Sequence, residues 1–321
     1  MISSKNRNLK LLLVILCGSF LACTDQHTNQ EETTVTTSSY ITVLGIAQDG
    51  GFPHINNPAE FEGVGSGEIN EELVVSLGLV DTQEKKHFLF EATPDLPEQL
   101  DLLRREHSGS KNIVDGIFLT HAHIGHYTGL MFLGREAMDA RSILVYAMPR
   151  MQHFLENNGP WSQLISLNNI KINSLKADSI ILLTSNLKIT PFVVPHRDEF
   201  SETVGYRIDG PNKSVVFIPD IDKWEKWDRS LVELVASVDY AFLDASFFAD
   251  GEIPRPMAEI PHPFIEETVS LFAKADTKTK SKIIFIHFNH SNPALDLANE
   301  QRKLLEEQGF RFAKQGDRFF L

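Results

Sequence analysis

Three histidines fall within six positions in Thr120-His121-Ala-His123-Ile-Gly125-His126, directly after the apolar run that begins at Ile113. Neutral imidazole binds zinc, iron, copper and nickel, and closely spaced histidines on a turn can converge on a metal from one side. Later apolar runs end in the same chemistry. Lys188–Pro195 delivers His196, Lys213–Pro219 delivers Asp220, Val238–Leu243 delivers Asp244 and Lys282–Ile286 delivers His287. Each of these residues alone reads as structural. Together, at the same end of successive strands, they describe a dinuclear metal site of imidazole and carboxylate. Two ions a few ångströms apart repel, and Asp220 is placed to bridge them and offset that repulsion.

The elements that must position these side chains alternate between short apolar strands and helices, so the chain reads as α/β. Tyr40–Ile46 is a first strand. The turn after it, Ala47-Gln-Asp49-Gly50-Gly51-Phe-Pro53, has two glycines beside an aspartate, which lets the backbone approach a site closely. Leu73–Val80 and His87–Phe90 pair as a hairpin. Asp95–Glu106 has helical spacing, and Gly134–Met138 reads as a helix start. Ser142–Ala147 is a strand and Pro149–Asn157 a short helix, followed by a loop in which Trp161 packs. Thr203–Ile208 and Lys213–Pro219 form a second hairpin, and Ile265–Ala275 is an amphipathic helix. Strands then helices occur twice over, without an internal sequence repeat.

With 321 residues, 42% hydrophobic and 23% charged, the chain fits one large domain or two small ones. Its net charge of −13 excludes an extended nucleic-acid face but leaves room for a small anionic substrate held by a metal. At the amino terminus Lys5, Arg7 and Lys10 precede the apolar stretch from Leu11, too short to span a membrane as a mature helix. The stretch closes at Ser19-Phe-Leu-Ala-Cys23, which resembles a bacterial lipoprotein signal. That resemblance implies a signal peptide over residues 1–22, lipid on Cys23, and a protein anchored in the cell envelope outside the cytoplasm. Residues 23–39 read as a polar tether in which His27 is inert, and residues 40–321 as the folded domain. Cys17 would leave with the signal, so no cysteine pair and no thiolate site remain.

The histidine motif resembles that of the metallo-β-lactamase fold superfamily, His-x-His-x-Asp-His, at every histidine; Gly125 stands where the family has aspartate. The resemblance implies a four-layer αββα sandwich. It assigns His121, His123 and His196 to a first metal, and His126 and His287 to a second, with Asp220 between them. Asp49 is a candidate to stand in for the missing carboxylate. Asp244-Ala-Ser-Phe247, Pro261-His262 and Ile286-His287-Phe-Asn-His290 are similar to elements of one branch. That branch holds tRNA-processing endonucleases, small phosphodiesterases and pyrroloquinoline quinone biosynthesis B-like proteins. It implies His262 as general acid to a leaving oxygen and Asp244 as the residue orienting it. His290 is the alternative to His287 as last ligand.

Three functions follow as expectations. The first is a metal-dependent hydrolase of a small or cyclic phosphodiester or related ester, in which the metal supplies hydroxide and His262 the proton. The second is a mononuclear metal oxygenase or hydroxylase, and the third a non-catalytic binding lipoprotein. Gly125 favours the last two; Asp220, Asp244 and His262 favour the first. The expected cofactor is zinc, one or two ions, with iron or manganese as alternatives. The expected partners are a small-molecule substrate and a membrane reached through Cys23, with no nucleic acid. Oligomeric state stays open.

Overall fold

The computed structural model describes residues 39–106 and 112–321. The expected signal peptide, Cys23, His27 and all of the tether except Ser39 lie outside the described residues. Among those described, no helix is long and apolar enough to cross a membrane.

Fourteen strands in the described residues form two seven-stranded mixed sheets. The first holds β1 (Tyr40–Gly45), β2 (Ser76–Asp81), β3 (Lys86–Phe90), β4 (Gly116–Phe118), β5 (Ile143–Ala147) and β6 (Ile170–Ser174). The second holds β7 (Ile181–Leu182), β8 (Lys188–Val193), β9 (Val204–Asp209), β10 (Ser214–Ile218), β11 (Tyr240–Asp244), β12 (Ile283–Ile286) and β13 (Arg311–Phe312). The last strand, β14 (Arg318–Phe320), returns to pair with β1. Strand order is β14-β1-β2-β3-β4-β5-β6 in one sheet and β13-β12-β11-β10-β9-β8-β7 in the other. In each, an antiparallel part (β1-β2-β3, β8-β9-β10) passes into a parallel part (β3 to β6, β10 to β13).

The helices are α1 (Pro58–Ser66), α2 (Leu96–Glu106), α3 (Ile124–Tyr127), α4 (Pro149–Asn157), α5 (Trp161–Ser166), α6 (Leu231–Ala236), α7 (Ile265–Leu271), α8 (Thr277–Lys280) and α9 (Glu300–Glu307). Strand alternation explains the layering. Ile41, Val43, Phe88, Phe90 and Phe118 face the second sheet and share a core with Phe217, Ile218 and Leu243. Leu44, Leu89, Ile117 and Val145 point the other way, onto Leu96, Leu100, Met151 and Leu155 of α2 and α4. Because both faces are covered, these strands read as continuous apolar runs. Helices α6, α7 and α9 contribute Leu231, Val235, Ile265 and Leu305 to the core on the second sheet. The four-layer αββα sandwich is therefore present.

Aromatic rings fill the space between the sheets near the histidine motif. Phe118 stacks on Tyr146 at 4.2 Å and on Phe90 at 5.0 Å, and Tyr206 of β9 meets Phe90 edge-on at 5.3 Å. Not every element matches expectation. Gly134–Met138 is a single turn, because Asp139 swings to φ +47 and the chain folds back so that the Ala140 amide reaches the Leu133 carbonyl. Trp161 packs as expected, against Tyr127 and Phe154, but it opens α5 rather than sitting in a loop.

Candidate metal centre

The histidine loop is gripped from three sides. Behind it, the Tyr206 hydroxyl donates to the Leu119 carbonyl and the Val204 amide to the Thr120 carbonyl, so β9 fixes the exit of β4. From below, the Ala92 amide donates to the His126 carbonyl and the Gly129 amide to the Ala92 carbonyl, each at 2.9 Å. A Cβ at Gly129 would lie 1.9 Å from the Thr93 carbonyl oxygen, so only glycine allows this approach. At the rim, Ser201 Oγ accepts from the Ala122 amide at 2.8 Å.

This frame brings His121, His123 and His196 together, with ligand atoms within 4.8 Å of one another. Thr120 Oγ1 lies 2.8 Å from His121 Nδ1, which turns Nε2 inward. Glu199 accepts from His123 Nε2 at 3.2 Å, which leaves the Nδ1 lone pair inward, 2.8 Å from His121 Nε2. Both ring nitrogens of His196 are buried without a hydrogen-bond partner. Burial lowers the pKa of His196 to about 4 and that of His121 well below the usual histidine value. Both are therefore neutral imidazoles, the form that binds metal.

A second group joins Asp49, His126, Asp220 and His287, again within 4.8 Å. Asp220 Oδ2 is 2.7 Å from His126 Nε2, 3.4 Å from His287 Nε2 and 3.6 Å from His121 Nε2. Its Oδ1 lies 3.7 Å from His196 Nε2, so Asp220 sits between the two groups, as expected of a bridge. His287 follows β12 at φ +69, a strained conformation that turns its ring into the cluster. His290 lies outside both groups; it stacks on His54 at 4.1 Å and bonds Glu60.

Charge in this second group is concentrated. Burial disfavours a cation on His126, yet Asp220, Glu91 and Asp49 together hold its pKa well above the usual value. Burial likewise opposes a charged His287, but Asp220, Asp244 and Asp49 raise it to about 10. Burial also opposes the charge on Asp220; its surrounding histidines overcome that and keep it well below the usual carboxylate range. The carboxylates thus demand buried positive charge, which a metal or protons can supply. His287 Nε2 is fully buried with no hydrogen-bond partner. Orphaned imidazole nitrogens, neutral histidines in one group and concentrated carboxylates in the other fit bound metal.

Beside both groups, His262 Nδ1 is 2.8 Å from Asp244 Oδ2, 3.1 Å from Ser246 Oγ and 3.3 Å from Asp220 Oδ1. Asp244 is fully buried at the end of β11, and its Oδ1 accepts from the amide and hydroxyl of Ser246. Ser246 Oγ also lies 2.8 Å from His287 Nδ1, so one hydroxyl joins the pair to the metal groups. The loop carrying His262 rests on a small core of Phe247, Met257, Ile260 and Phe264. Lys223, three residues after Asp220, bonds Glu267 of α7 and lies 3.4 Å from the Phe264 ring centroid. This ties the His262 loop to the Asp220 loop.

The β-lactamase superfamily domain model matches residues 86–288, which carry every member of the two metal groups and the Asp244–His262 pair except Asp49. The chain belongs to that superfamily. Among curated proteins it is similar to coenzyme PQQ synthesis protein B of Gluconobacter oxydans, 25% identical over 88% of this chain and 98% of that one. The same protein of Klebsiella pneumoniae is also 25% identical, over 86% of this chain and 96% of its own length. The fold is shared with Zn(2+)-bound PqqB from Methylobacterium extorquens, at a TM-score of 0.72, 19% identity, 88% of this chain and 100% of that one. It is shared too with a diphosphatase of the PhnP family, at a TM-score of 0.60, 23% identity, 88% of this chain and 97% of that one.

Two participants escaped the sequence reading. Glu91 is fully buried at φ +78, and its Oε1 lies 3.4 Å from His126 Nδ1. It follows β3 as His287 follows β12, so the strand-end rule applied to the others would have found it. Ser246 carried no signal beyond its place in Asp244-Ala-Ser-Phe247.

Proposed function

We propose that this chain is a metal-dependent hydrolase of small phosphodiesters, cyclic ones included, held at the bacterial envelope by lipid on Cys23. The observation that carries this reading is the Asp244–His262 pair set beside both metal groups. The buried carboxylate on Nδ1 fixes the orientation and tautomer of His262 beside the metal groups. With Nδ1 engaged, Nε2 is the edge left to give a proton to a departing alkoxide. Asp244 keeps the ring in that tautomer and orientation.

His121, His123 and His196 would hold one ion, and His126, Asp220 and His287 another. Bound zinc would acidify water and polarise a phosphoryl oxygen at neutral pH. The oxygenase reading drew on the B-protein resemblance and on Gly125 as a gap in the second group; Asp49 lying in that space weighs against the second of these grounds.

The test is hydrolysis of bis(4-nitrophenyl) phosphate and a 2′,3′-cyclic nucleotide by zinc-loaded protein, with and without chelator. We expect turnover that the chelator abolishes, and a loss of about 10²–10⁴-fold on the cyclic substrate in His262→Ala at unchanged metal content. A fully loaded chain inert to both substrates would contradict the proposal.

A further inference from the structure

We propose that Asp49 is a ligand of the second metal, brought by the loop after β1 into the place of the aspartate that the histidine motif lacks at Gly125. The inference rests on the metal-enzyme reading above and adds a ligand to it. A Cβ built on Gly125 would lie 2.4 Å from Asp49 Oδ1 and 2.7 Å from both Cγ and Cα of Asp49. The space that a side chain at position 125 would enter is therefore filled by a carboxylate from elsewhere in the chain. Glycine at 125 makes room for it.

The oxygen is also aimed. Asp49 Oδ1 is 3.1 Å from His126 Nε2 and 3.7 Å from His287 Nε2, and it shares their cluster with Asp220. The partnerless Nε2 of fully buried His287 points to the same spot. Backbone pairing fixes the placement. The Phe288 amide donates to the Ile46 carbonyl and the Gln48 amide to the Phe288 carbonyl, each at 2.8 Å. Asn289 also donates from its side chain to that of Gln48. The segment delivering Asp49 is thus zipped to the segment delivering His287. Gly51, at φ +69, then turns the chain away from the site.

The experiment removes the carboxylate and counts ions. Full-length wild type, Asp49→Asn and Asp49→Ala are stripped of metal, equilibrated at fixed free zinc, and assayed for ions per chain. Circular dichroism and retention of the first ion report folding. Asparagine keeps an acceptor for His126 and loses only the anionic ligand. We expect about two ions in wild type. In Asp49→Asn the second ion should bind at least about 100-fold more weakly, and in Asp49→Ala no more tightly than in Asp49→Asn. A wild-type second affinity in either variant overturns the inference while leaving the hydrolase reading standing. A wild type that binds one ion also overturns it, and one that binds none removes both.

Discussion

Replacing Glu91 by glutamine keeps the shape of a fully buried side chain and removes its charge. The Oε2 atom lies 3.4 Å from the Thr120 amide, a donor, and Oε1 lies 3.4 Å from His126 Nδ1. When His126 binds metal through Nε2, its Nδ1 carries a proton, so Glu91 faces donors on both sides and only a carboxylate can accept from both. Glutamine must turn its NH2 toward one of them, leaving a buried donor opposed. The cost is about 1–3 kcal/mol of stability. It should also weaken zinc by about 10–100-fold, the usual consequence of losing a carboxylate behind a metal-binding histidine. Thermal melts of metal-free protein measure the first effect, at about 2–4 °C per kcal/mol for a domain of about this size. Competition with a chromogenic chelator measures the second. Wild-type zinc affinity in Glu91→Gln would refute the idea that this carboxylate orients His126.

Two further outcomes follow from single contacts, and a third from the proposed lipid anchor. Gly129→Ala pushes a methyl into the Thr93 carbonyl and should destabilise by at least about 1–3 kcal/mol in denaturant melts, with metal affinity falling as the histidine loop shifts. Asp115 sits beneath β3; burial opposes its charge, but Lys86, the His87 amide and Asn112 overcome that and lower its pKa. Its folded pKa therefore lies below the unfolded value of about 3.9, so its stabilising effect is present above that pH and lost as pH falls through the folded value. The stability gap between wild type and Asp115→Asn should accordingly be constant near neutrality and shrink on acidification below about pH 4. Cys23→Ser should move the protein from the membrane fraction to the soluble fraction of the envelope, as fractionation and labelling with a fatty acid would record.

The legible part of the site was the part that follows strand ends. His121, His196, Asp220, Asp244 and His287 each close an apolar run, and in a sandwich of two part-parallel sheets such ends gather at one edge. Asp49 was named as a stand-in carboxylate from its glycine-flanked turn, but its place beside Gly125 depends on how the loop after β1 lies against α3, a contact between segments far apart in sequence that no local pattern encodes. Glu91 follows an apolar strand like the others, but His87–Phe90 was read only as one arm of a hairpin and not as a strand that delivers a ligand. Among the elements, β7 and β13 are two residues long and too short to show a period. Helix α1 buries none of its residues, so it carries no apolar stripe to read. Gly134–Met138 looked helical from composition, but the positive φ at Asp139 ends it after one turn.

In the proposed reaction His262, oriented by Asp244, gives a proton to the leaving oxygen of a phosphodiester. The most direct measurement is the rate loss in His262→Ala on two substrates of one scaffold, one releasing 4-nitrophenolate and one releasing a simple alkoxide. A 4-nitrophenolate departs without a proton, whereas an alkoxide needs one. If His262 is the proton donor, the loss is about 10²–10⁴-fold with the alkoxide substrate and much smaller with the nitrophenyl one, at equal metal content. Equal losses on both substrates would contradict it and reduce His262 to a structural neighbour of the metal groups.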